Sequence, residues 1–268
     1  MIFQALRSLI FYALFLGQTI VLAVFLGTIA LFRSGWFGFG LGIARYWGWS
    51  NLKLLRFVVG IRTEVTGLEN IPEGGCIIAS KHQSDWDIFA LLPSVSKPAF
   101  IAKKELMDIP FFGWAARTLE TISIDRKKGG EAMTAMIGEA KGAVERGCHI
   151  LIFPEGTRGT PLTPGKYKFG TARLYEALNV PVVPVAVNSG LFWGRNSLVL
   201  WPGTAKATFL PPIAPGLPAA QMHEKMIAAI ETESDRLALE ADAERIARPL
   251  SPAMLKRLAQ LRAAAKIK

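Results

Sequence analysis

One uncharged stretch, residues 8–32, constrains the fold of this chain more than any other feature of its sequence. It is 25 residues long, and as an α-helix it would measure about 37 Å, enough to cross the roughly 30 Å hydrocarbon core of a bilayer. The run is longer than the apolar core of a signal peptide, and no small-residue cleavage site follows it. We therefore predict a retained membrane anchor within residues 1–62.

Two topologies fit this anchor. The first is a single membrane span. The second is a two-helix hairpin, in which one helix ends near Phe32, a glycine-rich bend covers residues 35–42 and an amphipathic helix covers residues 41–60. Five basic residues follow the apolar run within the anchor, and only Arg7 precedes it. This positive-inside bias predicts an inner-membrane protein whose remaining residues lie on the cytoplasmic side.

Basic residues are concentrated at the two ends of the chain. Residues 1–62 contain six Lys or Arg and residues 245–268 contain seven, with no acidic residue in either segment. The segment between them has 18 basic and 21 acidic residues, so the formal net charge of +10 arises from the ends. Both ends are also apolar, which favours anionic lipid over nucleic acid as their partner. Residues 248–268 predict a basic amphipathic helix that either lies on the membrane or docks on the protein.

Between the two ends, short apolar runs alternate with segments of helical periodicity. Predicted strands cover residues 63–65, 76–80, 99–102, 121–124, 149–153, 182–187 and 205–210. Predicted helices cover residues 85–92, 110–119, 130–146, 168–178 and 219–247. This alternation predicts an α/β fold with a mixed, largely parallel sheet flanked by helices, in one domain over residues 63–247. Such sheets bind ligands beyond the carboxyl ends of their strands.

The segment after the second predicted strand contains a possible base and acid pair, His82 and Asp87. On one continuous helix their side chains would lie about 140° apart, so the chain must change conformation between them. Ser84 can cap the next helix, which places Asp87 in the first turn, facing back toward His82. Asp87 would then fix the imidazole tautomer and stabilise the imidazolium. In the alternative interpretation, Asp87 only caps the helix and His82 is structural.

A second polar turn follows the strand predicted at residues 149–153. It consists of Glu155, Gly156, Thr157 and Arg158. Gly156 permits a positive φ or a close backbone approach, and the planar guanidinium of Arg158 suits a phosphate. Glu155 could orient Arg158 or a substrate hydroxyl. A surface turn with a salt bridge would have the same sequence.

Other site classes are disfavoured. A metal site at His82, Asp85 and Asp87 lacks further histidines with suitable ligand spacing, so we predict no metal. No Gly-x-Ser-x-Gly segment is present, which disfavours a serine hydrolase. The spacing between Gly159 and Lys166 does not fit the phosphate loop of nucleotide-binding proteins.

The two polar segments together resemble the glycerolipid acyltransferase family, specifically the 1-acyl-sn-glycerol-3-phosphate acyltransferases. The resemblance extends to residues 121–126 (Thr-Ile-Ser-Ile-Asp-Arg), similar to the family's second block, and to residues 180–185 (Val-Pro-Val-Val-Pro-Val), similar to its fourth. Residues 100–106 and 109–114 also match, in order and spacing, over about residues 63–210. The second block departs from the family pattern at Ser123, where an aromatic residue is common.

The resemblance implies a role for each site residue. His82, oriented by Asp87, would remove the proton from the free sn-2 hydroxyl of lysophosphatidate, which would attack an acyl thioester directly and give phosphatidate. Glu155 and Gly156 would shape the acceptor pocket, and Thr157 belongs to the same substrate-binding turn. The acceptor phosphate would be held by Arg158, Arg126 and a lysine of the pair Lys103 and Lys104.

The same resemblance implies no cofactor, because the acyl donor, acyl-CoA or acyl carrier protein, is a co-substrate. The expected partners are lysophosphatidate, this donor and membrane lipids. Within the class, another lysolipid or glycerol 3-phosphate remains an alternative acceptor. Outside the class, the alternatives are a membrane-bound phosphohydrolase and a catalytically silent lipid-binding module. The presence of both His82 and Asp87 argues against silence, and nothing resembles a phosphatase nucleophile.

Overall fold

The computed structural model describes residues 1–32, 37–125 and 129–266. Within them, seven strands form one sheet in the order β1-β7-β6-β2-β5-β3-β4. Neighbouring strands are parallel except β6 and β7, which are antiparallel, so the predicted mixed, largely parallel sheet is confirmed. The strands are Ile61–Thr66 (β1), Cys76–Ser80 (β2), Pro98–Lys103 (β3), Ile122–Ile124 (β4), His149–Ile152 (β5), Val182–Val187 (β6) and Gly203–Phe209 (β7).

The helices of the α/β domain agree with the predicted ones in number and order, apart from one short addition. The four-residue helix α4 was not predicted, because one turn has too few residues to show a periodicity. Phe111 adopts a φ of 60°, and the helix predicted from residue 110 begins only after it. The helices are Ile2–Phe32 (α1), Phe37–Leu54 (α2), Trp86–Ser94 (α3), Lys104–Met107 (α4), Phe112–Arg117 (α5), Gly130–Glu145 (α6), Gly170–Leu178 (α7), Ala219–Ala243 (α8) and Pro252–Lys266 (α9).

The core lies on both faces of the sheet, because successive side chains of a strand point in opposite directions. Ile78 of β2 packs toward α1 and α3, in a cluster with Phe11 and Phe89. Its neighbour Ile77 packs toward α6 and α8, in a second cluster with Met136 and Met226. All five residues of β2 are buried, as expected for a central strand covered by helices on both faces.

The two N-terminal helices form an antiparallel hairpin. Trp47 Nε1 of α2 donates a hydrogen bond to Thr19 Oγ1 of α1 at 2.8 Å, and the rings of Phe25 and Phe39 lie 6.4 Å apart. In the described part of the chain, α1 alone is long and apolar enough to cross a membrane, with a mean hydropathy of 2.4 over Ile2–Ile29. The two helices pack as the predicted hairpin, but α2 begins at Phe37, so the glycine-rich bend predicted over residues 35–42 is wrong for residues 37–42.

The first turns of α1 are attached to the body of the protein. Gln4 Nε2 donates to the carbonyl of Leu200 at 2.7 Å, and the amide of Leu200 donates to Ser8 Oγ at 2.9 Å. Phe11 is fully buried and meets the edge of Trp193, with ring centroids 5.4 Å apart. The hairpin and the α/β domain therefore share one hydrophobic core.

The C-terminal helix α9 docks on α8, one of the two arrangements considered for residues 248–268. Met254 and Leu258 are buried between the helices, whereas Leu255 is 55% exposed. Arg257 and Arg262 form ion pairs with Asp235 and Asp242 of α8, both at 2.6 Å. The basic residues of this segment thus partly neutralise acidic residues of the domain.

Candidate active site

The carboxyl ends of β2, β3, β5 and β6 meet at one edge of the sheet because these strands are parallel. The loop after β2 carries His82, and the loop after β5 carries Arg158. Ser189 follows β6, and Lys103 ends β3. Side chains that are far apart in the sequence are thereby brought to one site, as predicted for this class of sheet.

His82 and Asp87 form the expected pair. The distance from His82 Nδ1 to Asp87 Oδ2 is 2.8 Å. Helix α3 begins at Trp86, whose amide donates to Ser84 Oγ at 3.2 Å, so Asp87 lies in the first turn and faces back. The imidazole stacks on the ring of Phe153, with centroids 4.0 Å apart, and this contact fixes its plane.

Asp87 is fully buried, and its carboxylate accepts four hydrogen bonds. Oδ2 accepts from His82 and from the backbone amides of Gln83 and Ser84, at 2.7 and 2.9 Å, while Oδ1 accepts from the hydroxyl of Ser189. A carboxylate only accepts, so Nδ1 of His82 carries the ring proton. Nε2 is left as the basic nitrogen, which is the tautomer that a general base requires.

The turn after β5 is hydrogen-bonded to both the backbone amide and the backbone carbonyl of His82. Gly159 N donates to the carbonyl of His82 at 2.7 Å, and the amide of His82 donates to Glu155 Oε2 at 2.9 Å. Gly156 has a φ of 70°, a conformation that favours glycine. The two polar segments identified in the sequence thus form a single structural unit.

Glu155 lies behind this unit, away from the cavity described below. Its side chain is buried, and Oε1 lies 3.8 Å from Lys81 Nζ. Burial raises the pKa of the Glu155 carboxyl, and the charge of Lys81 opposes this change. Glu155 therefore supports the backbone of His82. The side chain that orients Arg158 is Asp85, whose Oδ2 lies 2.6 Å from Arg158 Nη1.

The other predicted phosphate ligands have different surroundings. Lys103 lines the cavity. Lys104 lies outside the wall, and its Nζ is 3.5 Å from Asp125 Oδ2. Arg126 lies outside the described residues, so its predicted role stays a prediction.

A cavity of about 740 Å³ extends from the hairpin to the polar edge of the sheet. Its walls are mostly apolar and include side chains of both N-terminal helices, among them Leu22, Leu26 and Trp47. Because this length of apolar wall ends at polar side chains, the cavity suits a molecule with a hydrocarbon chain and an anionic head. The polar end is lined by His82, Asp85, Lys103, Gly156, Thr157, Arg158 and Lys168.

Two functional candidates in this wall were not predicted from the sequence. Lys168 lies against the turn formed by residues 155–158, which we call the anion turn: a Cβ placed on Gly156 would lie 3.1 Å from Lys168 Nζ. It had been assigned only to the start of a predicted helix. Asp85 was considered only as a metal ligand, and no sequence pattern indicates that it pairs with Arg158, 73 residues away.

The comparisons with known proteins identify the family of this chain. The acyltransferase family model matches residues 62–188. The 1-acyl-sn-glycerol-3-phosphate acyltransferase of Pseudomonas aeruginosa is 36% identical over 211 residues, which cover 78% of this chain and 80% of that protein. The human 1-acyl-sn-glycerol-3-phosphate acyltransferase alpha is 31% identical over 175 residues, 61% of each chain.

A solved structure has the same fold. The crystal structure of the 1-acyl-sn-glycerophosphate acyltransferase PlsC from Thermotoga maritima matches with a TM-score of 0.74 at 25% identity, covering 92% of this chain and 100% of that one. The alignment therefore includes nearly all of the described elements. Given the family match, the identities and this fold, the chain belongs to the acyltransferase family, among the 1-acyl-sn-glycerol-3-phosphate acyltransferases.

Proposed function

We propose that this protein transfers a fatty acyl group from an acyl thioester to the sn-2 hydroxyl of lysophosphatidate, giving phosphatidate for phospholipid synthesis. One observation carries the proposal: His82, paired with the buried Asp87, and Arg158 lie in the wall of the same largely apolar cavity. A base next to an anion site, both at the end of an apolar cavity, fits a lysolipid with a free hydroxyl.

The reaction follows from the tautomer of His82. Nε2 accepts the proton of the sn-2 hydroxyl while that oxygen attacks the carbonyl carbon of the thioester. A new C–O ester bond forms, the C–S bond breaks, and the imidazolium returns the proton to the thiolate. Asp87 stabilises the imidazolium between these steps, and general base assistance of this kind is worth about 10²–10⁴ in rate.

The acceptor phosphate would be bound by three cations in the cavity wall: Arg158, Lys103 and Lys168. Arg158 is already oriented by Asp85, so one edge of its guanidinium is fixed before the phosphate arrives. Holding the headgroup places the free hydroxyl relative to His82, and such positioning contributes much of the rate of a two-substrate reaction. Arg126 is proposed as a further ligand from the family resemblance alone.

The proposed donor is acyl-CoA or an acylated carrier protein, with no cofactor. The proposed location is the cytoplasmic face of the inner membrane. Exposed apolar side chains along α1, including Leu14, Ile20 and Val21, support embedding of the hairpin in lipid. Since α1 and α2 also line the cavity, a lysolipid would reach the site from the bilayer, while the donor arrives from water.

The test is an acyl-transfer assay with the purified full-length protein in vesicles of defined composition. Two labelled donors are compared, acyl-CoA and the acylated form of acyl carrier protein. Each is supplied with lysophosphatidate, other lysolipids or glycerol 3-phosphate, and the diacylated or monoacylated product is identified. We expect phosphatidate as the main product and no turnover by His82→Ala. Efficient use of another acceptor and poor use of lysophosphatidate would contradict the proposed substrate, and full activity of His82→Ala would contradict the mechanism.

A further inference from the structure

One oxygen atom on helix α8 joins the two loops of the site. Glu231 Oε1 accepts hydrogen bonds from Lys81 Nζ at 2.5 Å, from the hydroxyl of Tyr167 at 2.6 Å and from the amide of Gly165 at 3.2 Å. Lys81 directly precedes His82, and Tyr167 directly precedes the cavity residue Lys168. A single carboxylate is therefore in contact with both functional segments.

The contact with Lys81 continues to the base. The Lys81 side chain is only 2% exposed, and its ammonium lies between the carboxylates of Glu231 and Glu155. The second oxygen of Glu155 accepts the backbone amide of His82 at 2.9 Å. Because a buried ammonium requires anionic partners, removing the charge of Glu231 would change the position of Lys81 and the support of His82.

The contacts with Gly165 and Tyr167 have a different effect. Burial, followed by the neighbouring Glu231 carboxylate, raises the pKa of the Tyr167 hydroxyl, so this group stays protonated and donates to Glu231. The next residue, Lys168, donates its amide to the carbonyl of Pro154 at 2.9 Å. The segment before Lys168 is thus anchored to α8 at one end and to the anion turn at the other.

We propose that Glu231 is a positioning residue for the acyl transfer: it holds the loop after β2, which carries His82, through Lys81 and Glu155, and the loop after β5, which carries Lys168, through Gly165 and Tyr167. This inference rests on the proposed role of His82 as the base. Glu231 does not line the cavity, so it acts through other residues and does not touch substrate. It also lies outside residues 62–188, which the family model matches.

The central variant is Glu231→Gln in the full-length protein. The amide oxygen still accepts hydrogen bonds from Gly165 and Tyr167, but the charge that holds Lys81 is lost. We expect kcat to fall between about tenfold and 10²-fold, as for a small misplacement of a reacting group, with a smaller change in the acceptor KM. Glu231→Asp, which keeps the charge, should recover part of the rate.

Glu233→Gln is the matched control on the same helix. It breaks the exposed ion pair between Glu233 and Arg236, at 2.6 Å, by the same chemical change. We expect its kcat to equal that of the unmodified protein. Thermal denaturation of both variants separates a loss of stability from a loss of positioning. An unchanged kcat in Glu231→Gln would overturn the proposal.

A double-mutant cycle tests the route through Lys81. If Glu231 acts on His82 through Lys81, then Lys81→Met combined with Glu231→Gln should be no slower than the slower single variant. Independent effects, in which the two rate losses multiply, would overturn this route.

Hydrogen exchange at the His82 backbone amide gives a readout that does not depend on turnover. We expect faster exchange in Glu231→Gln than in Glu233→Gln. If the unmodified protein acylates no lysolipid, the proposed function fails, yet faster exchange would still support the structural link. If the protein is active and both exchange and kcat are unchanged in Glu231→Gln, the positioning role fails alone.

Discussion

The Asp87 carboxylate does not reach the cavity, because it is fully buried and bonded to four donors of the protein itself. Its contribution is therefore to His82: it sets the tautomer and stabilises the imidazolium. It also ties the start of α3 to the loop after β6 through Ser189. One buried side chain thus serves both the geometry and the charge balance of the base.

Asp87→Asn should remove the charge that stabilises the imidazolium. The amide oxygen can take the place of Oδ2 and still accept from His82, Gln83 and Ser84, while the NH2 group faces the hydroxyl of Ser189. We expect kcat to fall by about 10²–10⁴ and the free energy of unfolding to fall by about 1–3 kcal/mol, because hydrogen bonds to a charged acceptor are stronger than those to a neutral one. Enzyme kinetics and denaturation are the measurements, and Asp108→Asn, at an exposed position, is the control that should change neither. A variant with normal kcat would refute the role of Asp87.

Lys168→Gln should weaken binding of the acceptor phosphate. A hydrogen bond to a charged group is worth about 1.5–3 kcal/mol, so the KM for lysophosphatidate should rise between about tenfold and 10²-fold. An uncharged monoacylglycerol should show no such rise, because it offers no phosphate. Lys166→Gln, on the same loop but outside the cavity wall, is the control. Equal KM values for Lys168→Gln and the unmodified protein would exclude Lys168 from the phosphate site.

The pairing of His82 with Asp87 could be predicted from the sequence, because these residues and Ser84 form a local pattern. Its geometry depends only on where helix α3 begins. The sequence did not reveal Lys168 or the role of Asp85. Lys168 meets Gly156 because the loop between β5 and α7 folds back on itself, and Asp85 meets Arg158 because the loops after β2 and β5 pack together. Contacts of this kind depend on tertiary structure, which a local pattern does not encode.

Among the elements, the strands were the most predictable, because a buried parallel sheet requires short continuous apolar runs. The boundaries of β2 and β6 match the prediction. The position of α9 was left open, since a basic amphipathic helix suits both an anionic membrane and an acidic protein surface. Its partner residues, Asp235 and Asp242, lie on α8 and are paired by tertiary packing.

The docking of α9 can be checked by comparing two leucines of one helix. Leu258 is buried against α8. Leu258→Ala should therefore lower the free energy of unfolding by about 2–5 kcal/mol, because it removes buried apolar atoms and leaves a cavity. Leu255 is exposed, so Leu255→Ala should change it by less than about 0.5 kcal/mol. Denaturation in detergent micelles measures both. Weaker vesicle binding by Leu255→Ala would instead indicate that α9 lies on the membrane.

The whole molecule has one strongly apolar side, formed by the hairpin. Ile20 and Val21 of α1 are 61% and 66% exposed, although both are large apolar residues. Exposed apolar area of this extent marks a site of contact with membrane or protein. Together with the basic ends, it supports the proposed attachment to an anionic bilayer.

Replacing Ile20 or Val21 with Glu should therefore weaken binding to vesicles of anionic lipid. A charge on the lipid-facing side of a helix is costly to bury in hydrocarbon. Co-flotation with vesicles measures binding. Leu198→Glu is the control, because Leu198 is 81% exposed but lies on a loop outside the hairpin. Equal losses of binding in all three variants would show that the hairpin is not the attachment surface.

The shared wall between α1, α2 and the sheet edge has a consequence for preparing the protein. Deleting the hairpin would remove part of the lining of the reaction chamber and expose the partners of Phe11 to solvent. Even if it were prepared without detergent, a truncated version would no longer bind the hydrocarbon chain of the substrate along this part of the wall. The proposed membrane attachment and the cavity depend on the same two helices, so a variant without the hairpin should lose both.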